Sequence, residues 1–315
     1  MINTITTVFT CMFILSILNL GTVNAVEQKQ NVVVQVIGSG GPHINDGKAS
    51  ISYLIWIDGK ATIMVDTGGG SSLNFEKSGA DFLDIDAILY THFHEDHASE
   101  LPIYIKGAVH LLRRSELGIF GPAGNDHMES ASDYVSTMFD KNMGLFRITT
   151  NGVKDNKGNP RASIVFDINV TDVALDKKIH SYKLSESVTL SAIQTEHTPL
   201  PAVGWRVDIG DKCVSFSGDM TNYFNTLAKL AKDCDLLIAH NVNQEVPRDG
   251  APRGLRVHMP PSEIGKLAAE ANVKKLVLSH RSARVEDLYP QSKDIIAERY
   301  SGPILITNDF DKYPL

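Results

Sequence analysis

Positive charge is in short supply in this sequence. Its 315 residues carry 30 Lys and Arg against 37 Asp and Glu, a formal net charge of −7, with a pI of about 5.9. That deficit argues against a nucleic-acid partner, because such proteins ordinarily lay a basic stripe along the phosphate path. No run of like charges occurs, so no charged tail is implied. Internal repeats, low-complexity tracts and Pro- or Ser-rich linkers are also missing. Nothing therefore divides residues 26–315, which are numerous enough to bury a substantial core as one domain.

Charge of either sign is absent from the side chains of the first 25 residues. The apolar run from Phe9 to Leu20 falls short of the ~20 residues that span a bilayer, so no stable membrane anchor is expected. It is followed by Gly21 and by Val23-Asn24-Ala25, a small-x-small ending. Residues 1–25 read as a signal peptide cleaved after Ala25, which places the mature protein in the periplasm or outside the cell. Cysteine is also sparse. Cys11 leaves with the leader, and Cys213 and Cys234 remain, either paired in an oxidising compartment or buried as free thiols. They precede the polar residues Asp219 and His240 by the same number of positions. Neighbouring parallel strands, about 4.8 Å apart, would then set them level and within reach of a disulfide.

What is present is a succession of short apolar runs bounded by turn residues. Val32 to Ile37, Ser52 to Ile57, Thr62 to Val65 and Ala87 to Tyr90 read as strands, the second and third joined at Asp58-Gly59. Further strands are expected at Val188 to Gln194, Gly204 to Ile209, Cys213 to Phe216, Leu236 to Ala239, Lys275 to Leu278 and Ile304 to Ile306. Helical periodicity marks Asn225 to Lys232, Pro261 to Ala271 and Ser292 to Tyr300. Leu111 to Arg161, with more Gly, Asn and Asp, reads as loops and short helices. Sheets covered by helices follow, of α/β or α+β class.

The segment with chemistry is Thr91-His92-Phe93-His94-Glu95-Asp96-His97, directly after an apolar strand. A transition metal takes neutral imidazole and carboxylate ligands, and a loop at a strand end can turn several of them onto one point. His92-x-His94-x-Asp96-His97 resembles the signature of the metallo-β-lactamase superfamily. Four more segments resemble that family's other motifs, in order: Asp66 in Val65-Asp66-Thr67-Gly68, His197 in Glu196-His197-Thr198, Asp219 in Ser217-Gly218-Asp219, and His280 in Leu278-Ser279-His280.

The resemblance implies an α+β fold, a four-layer αβ/βα sandwich with metals at the sheet edge. One of two divalent metals would take His92, His94 and His197, and the other Asp96, His97 and His280. Asp219 and a hydroxide would bridge them, and Asp66 would buttress the loop. Zinc is the default ion, with iron or manganese also accommodated. The segment from Val257-His258-Met259-Pro260 to Ser279-His280-Arg281-Ser282-Ala283-Arg284 is similar to the closing motifs of the tRNase Z branch. There a histidine at the place of His258 acts as general acid, so His258 and Asp96 are the expected catalytic residues. Where that branch has a Glu after a His, this chain reads Ala239-His240-Asn241, and the Gly- and Pro-rich arm that grips tRNA is not recognisable.

Those departures, the acidity and the leader argue against a tRNA processor and for similarity to the superfamily's exported arylsulfatases. The expected substrate is thus a small anionic ester, an aryl sulfate first and a phosphodiester as the alternative, with no nucleic acid. Lactam or lactone hydrolysis, a glyoxalase II-type thioesterase and a non-catalytic metal-binding protein are the remaining readings, and a homodimer is left open. His43, His110, His127 and His180 lack ligand-like company, whereas His240 ends a strand near Asp219 as a support for His258.

Overall fold

Two seven-stranded sheets form the middle of the computed structural model, which describes residues 30–152, 157, 163–245, 257–283 and 286–315. The leader at 1–25 and Arg284 lie outside the described residues. The first sheet is built from β1 (Val32–Gly38), β2 (Ser52–Ile57), β3 (Lys60–Val65), β4 (Ala87–Leu89), β5 (Leu117–Pro122) and β6 (Ile168–Val173), with β14 (Lys312–Pro314) pairing outside β1. The second comprises β7 (His180–Lys183), β8 (Val188–His197), β9 (Leu200–Ile209), β10 (Lys212–Phe216), β11 (Leu236–His240), β12 (Leu276–Ser279) and β13 (Ile304–Ile306), side by side in that order.

Alternation along the strands explains the layering, because successive side chains point to opposite faces. On β2, Tyr53 and Ile55 face the second sheet, while Leu54 faces helices. On β11, Leu236 and Ile238 face the first sheet, while Leu237 and Ala239 face helices. Three apolar clusters result. The central one, with Val34, Tyr53, Trp205 and Val207, glues the sheets together. The outer one on the first sheet packs α1 (Ser71–Ser78), α3 (Leu101–His110) and α4 (Ala131–Phe139), with the short α2 (Glu95–Ala98) before α3 and α5 (Arg147–Asn151) after α4. The outer one on the second packs α6 (Leu227–Leu230), α7 (Pro261–Glu270) and α8 (Tyr289–Ala297). The expected αβ/βα sandwich is therefore observed.

Asp58 and Gly59 both adopt positive φ, 50° and 84°, as a tight two-residue hairpin turn requires, and they set Ile57 opposite Lys60. Three elements depart from expectation. The 111–161 region contains a central strand, β5, paired in parallel with β4 and β6. The helix expected at 225–232 shrinks to Leu227–Leu230, since Asn225 and Asp233 turn left-handed on either side. The last helix begins at Tyr289 rather than Ser292, because Pro290 suits a first turn. Among the described residues, no helix is long and apolar enough to cross a membrane.

Cys213 and Cys234 form a disulfide with Cα atoms 5.0 Å apart. The strands are parallel as expected, but their register sets Val214 opposite Leu236, so the bridge joins positions one residue out of level.

Candidate metal centre

Parallel pairing brings the ends of β3 and β4, and those of β10, β11 and β12, to one edge of the sandwich, where loops are free to carry polar side chains. His92 and His94 follow β4, while Asp96 and His97 lie on α2 (Glu95–Ala98). His197 is the last residue of β8, Asp219 lies three positions beyond β10, His240 ends β11, and His280 follows β12. Asp66 follows β3. Asp66 and His280 both hold left-handed backbone, φ 57° and 60°, a conformation that costs on the order of 1–3 kcal/mol and persists only where surroundings impose it. Gly218 holds φ 59° beside the Thr91 side chain, where a β-carbon would lie 2.8 Å from that of Thr91.

The sheets are tied at this edge by Val203 N donating to Thr91 O, Trp205 Nε1 donating to Tyr90 O, and Tyr53 Oη donating to Ser279 Oγ. The seven expected ligands converge across that seam. Oδ2 of Asp219 lies 3.8, 3.6, 3.8 and 3.4 Å from Nε2 of His92, His97, His197 and His280. Two donor groups emerge that share Asp219: His92, His94 and His197 in one, His97, His240 and His280 in the other. Asp96 belongs beside the second, with Oδ2 3.2 Å from His280 Nε2 and 3.8 Å from His97 Nε2.

Outer partners fix which ring nitrogens stay free. His197 Nδ1 donates to Val257 O over 3.0 Å and His97 Nδ1 to Asp66 Oδ2 over 2.8 Å, so each turns Nε2 toward Asp219. Asp66 is itself held by Thr91 N and Oγ1, each 2.8 Å away. His97 Nε2 and both ring nitrogens of His280 are buried with no hydrogen-bond partner among the described residues. Buried polar atoms ordinarily have partners. Convergent, unpartnered imidazole and carboxylate donors fit divalent metal ions.

The electrostatics agree. Burial pushes the pKa of His92 and His94 down, so both remain neutral. Burial also disfavours charge on His97 and His280, yet Asp219, with Asp66 in the first case, outweighs it; His280 rises to about 9. For Asp96, burial acts upward but His280 and His97 prevail and draw it to about 2. Asp219 is likewise held well below the carboxylate range by His280, His258 and His97, against burial. This is a site in which anions and bases compete for protons that a cation could replace.

His258, just before α7, is half-buried with Nδ1 3.6 Å from Asp219 Oδ1. Asn243 Nδ2 donates to its carbonyl over 2.7 Å. Burial lowers its pKa to about 4, with His280 and His197 adding to the effect. His240 meets Asp219 Oδ1 at 2.7 Å rather than meeting His258 directly. Of the remaining histidines, His180 pairs with Asp176 at the surface, His110 ends α3 exposed, and His43 and His127 stay outside the ligand groups. Sequence reasoning missed the part of Tyr53, which reads there as an ordinary strand aromatic.

The family model described as the metallo-beta-lactamase superfamily matches residues 46–280. A ribonuclease Z of Picrophilus torridus is 26% identical over 313 residues, covering 89% of this chain and 96% of that protein. Human tRNase Z, short form, superposes with TM-score 0.68 at 19% identity, over 89% of this chain and 98% of the other. A metallo-beta-lactamase fold protein from Bacillus subtilis, YhfI, gives 0.67 at 17%, over 91% and 100%. These findings overturn two expectations, sulfate-ester specificity and the exclusion of nucleic acid, because relatives across nearly the whole chain are named for ribonuclease activity. The physical error is identifiable. Net charge is a sum over the whole surface, whereas a phosphodiester meets only the local field of the site, which two bound cations would dominate.

Proposed function

Because the chain belongs to the metallo-beta-lactamase superfamily, we propose that it is a metal-dependent phosphodiesterase acting on RNA. The observation that carries the reading is one carboxylate shared by two imidazole groups, with His258 standing at its other oxygen. Relatives named ribonuclease Z support the substrate class. His92, His94 and His197 would hold one cation, and Asp96, His97 and His280 the other, with Asp219 between them. Divalent cations held there would supply the Lewis acidity that activates a water and neutralises charge developing on the phosphoryl oxygens. Zinc suits the imidazole and carboxylate donors, and iron or manganese would also be accommodated.

The chain's own groups supply the rest. His258 points Nδ1 at Asp219, which leaves Nε2 to hand a proton to the departing oxygen. Its low pKa keeps it neutral in the free site, and an arriving phosphodiester anion would raise it toward the working range. Asp96 remains ionised beside His280.

The charge-free leader supports export of a single hydrolase domain, 26–315, and N-terminal sequencing of the native protein should begin at Val26. The decisive assay is cleavage of a 3′-extended tRNA precursor and of bis(p-nitrophenyl) phosphate by protein stripped with chelator and then reloaded. Zinc should restore both, and reloaded protein inert on both would refute the reading.

A further inference from the structure

Behind the ligand cradle, four polar side chains from both sheets form a buried line. Asp219 Oδ1 meets His240 Nδ1 at 2.7 Å, and His240 Nε2 lies 3.1 Å from Tyr53 Oη. Tyr53, which comes from β2 in the other sheet, donates to Ser279 Oγ over 2.8 Å. None of the four is more than 2% exposed. His240 is further confined by its backbone N–H, which donates to Ser217 Oγ, and its ring by the imidazoles of His280 and His97, whose centroids lie 5.0 and 5.6 Å away.

Proximity alone ranks His240 with His97, Asp219 and His280 as a metal donor. Its hydrogen bonds argue otherwise. Nδ1 and Nε2 are both committed to protein groups, whereas His97 and His280 have buried nitrogens without partners. Turning the ring toward a cation would strip Asp219 and Tyr53 of a partner in a buried place. Asp219 is divided in the same sense. Its Oδ2 faces four imidazoles, and its Oδ1 is taken by His240.

We infer that His240 is a positioning residue rather than a ligand: it holds Oδ1 of Asp219 so that Oδ2 is presented to both halves of the cradle, with Tyr53 locking the ring from the opposite sheet. Outer groups of this kind orient a ligand and raise its affinity for metal, and their loss typically costs about 10- to 100-fold in binding.

The inference rests on the metal-centre reading but not on any substrate, so it is tested by binding. Chelator-stripped protein is titrated with zinc against a chromogenic competitor, with circular dichroism of the metal-free protein as the folding control. His240→Ala should keep two equivalents of zinc and bind them about 10- to 100-fold more weakly. His240→Asn, whose amide nitrogen can replace Nδ1 as donor to Oδ1, should recover most of that loss, and Tyr53→Phe should fall between. One equivalent lost in both His240 variants would make His240 a ligand and overturn the inference. Unchanged affinity in His240→Ala would reduce it to packing and also overturn it. If the Ala variant fails to fold, the Asn and Tyr53→Phe variants decide: wild-type affinity in Tyr53→Phe, or loss of an equivalent in Asn, would sink it. Wild-type protein that binds no zinc would instead fail the metal-centre reading itself.

Discussion

Gly41 and the His280 imidazole touch so closely that a β-carbon on Gly41 would fall 2.5 Å from Cε1 and 2.8 Å from Nδ1 of that ring. The glycine is a mould for the ligand, and its backbone N–H also bonds Arg281 O over 3.1 Å. Gly41→Ala must therefore move either the loop or the ring. Overpacking of this kind costs about 1–3 kcal/mol. The expected result is weaker metal binding with a modest fall in the melting temperature of the metal-free protein. Unaltered zinc affinity by competitive titration would show that the ring yields freely.

His258→Ala should leave metal content unchanged and lower kcat by roughly 10²–10⁴ on an RNA phosphodiester, whose leaving oxygen needs a proton. On bis(p-nitrophenyl) phosphate, whose leaving group departs as an anion, the loss should be far smaller. Steady-state kinetics on the two substrates check this, and equal losses would assign His258 to phosphate binding instead.

The Cys213–Cys234 bridge closes a loop of sequence separation 21 at the base of β10 and β11, both of which run to the metal edge. Loop-closure entropy puts its contribution at about 3 kcal/mol. Replacing both cysteines by Ala should lower the denaturation free energy by that order, and the denatured, unreduced wild type should expose no thiol to Ellman's reagent.

Asp235 lies away from the centre and reports acid stability. Burial works to raise its pKa, but Lys274 at 2.8 Å and the Cys213 N–H at 3.0 Å prevail and hold it below the usual range. A carboxylate depressed in the folded state stabilises fully above its unfolded pKa of about 4 and loses that contribution as pH falls through the lower folded value. Asp235→Asn should therefore cost stability at neutral pH and flatten the acid limb below about pH 4, read by thermal melts across pH.

The ligands were legible because metal chemistry admits few residue types, and the strands that carry them are apolar runs with clear ends. His92, His94, Asp96 and His97 announce themselves within one turn of chain. Tyr53 and Gly41 do not, since one looks like any strand aromatic and the other like any loop glycine. β5 was hidden because Gly118, Gly121 and Pro122 break the pattern of a strand, yet parallel neighbours on both sides supply what its composition lacks. α1 was hidden behind Gly68-Gly69-Gly70, although Glu100 caps its first turn by accepting from Gly70 N and Ser72 N. The substrate was misread from net charge, a quantity with no address in the fold.

The pairing of β14 with β1 sets a clock on assembly. Val34 lies opposite Tyr313 and Gln35 opposite Lys312, so the earliest strand of the described chain receives its outer neighbour from the latest. During synthesis β1 emerges long before that neighbour exists, and its edge stays open to any other strand that comes near. A sheet closed by such distant residues cannot be completed in step with the ribosome. The first sheet is therefore complete only once residues 312–314 have been made, and until then the outer side of β1 is its open seam.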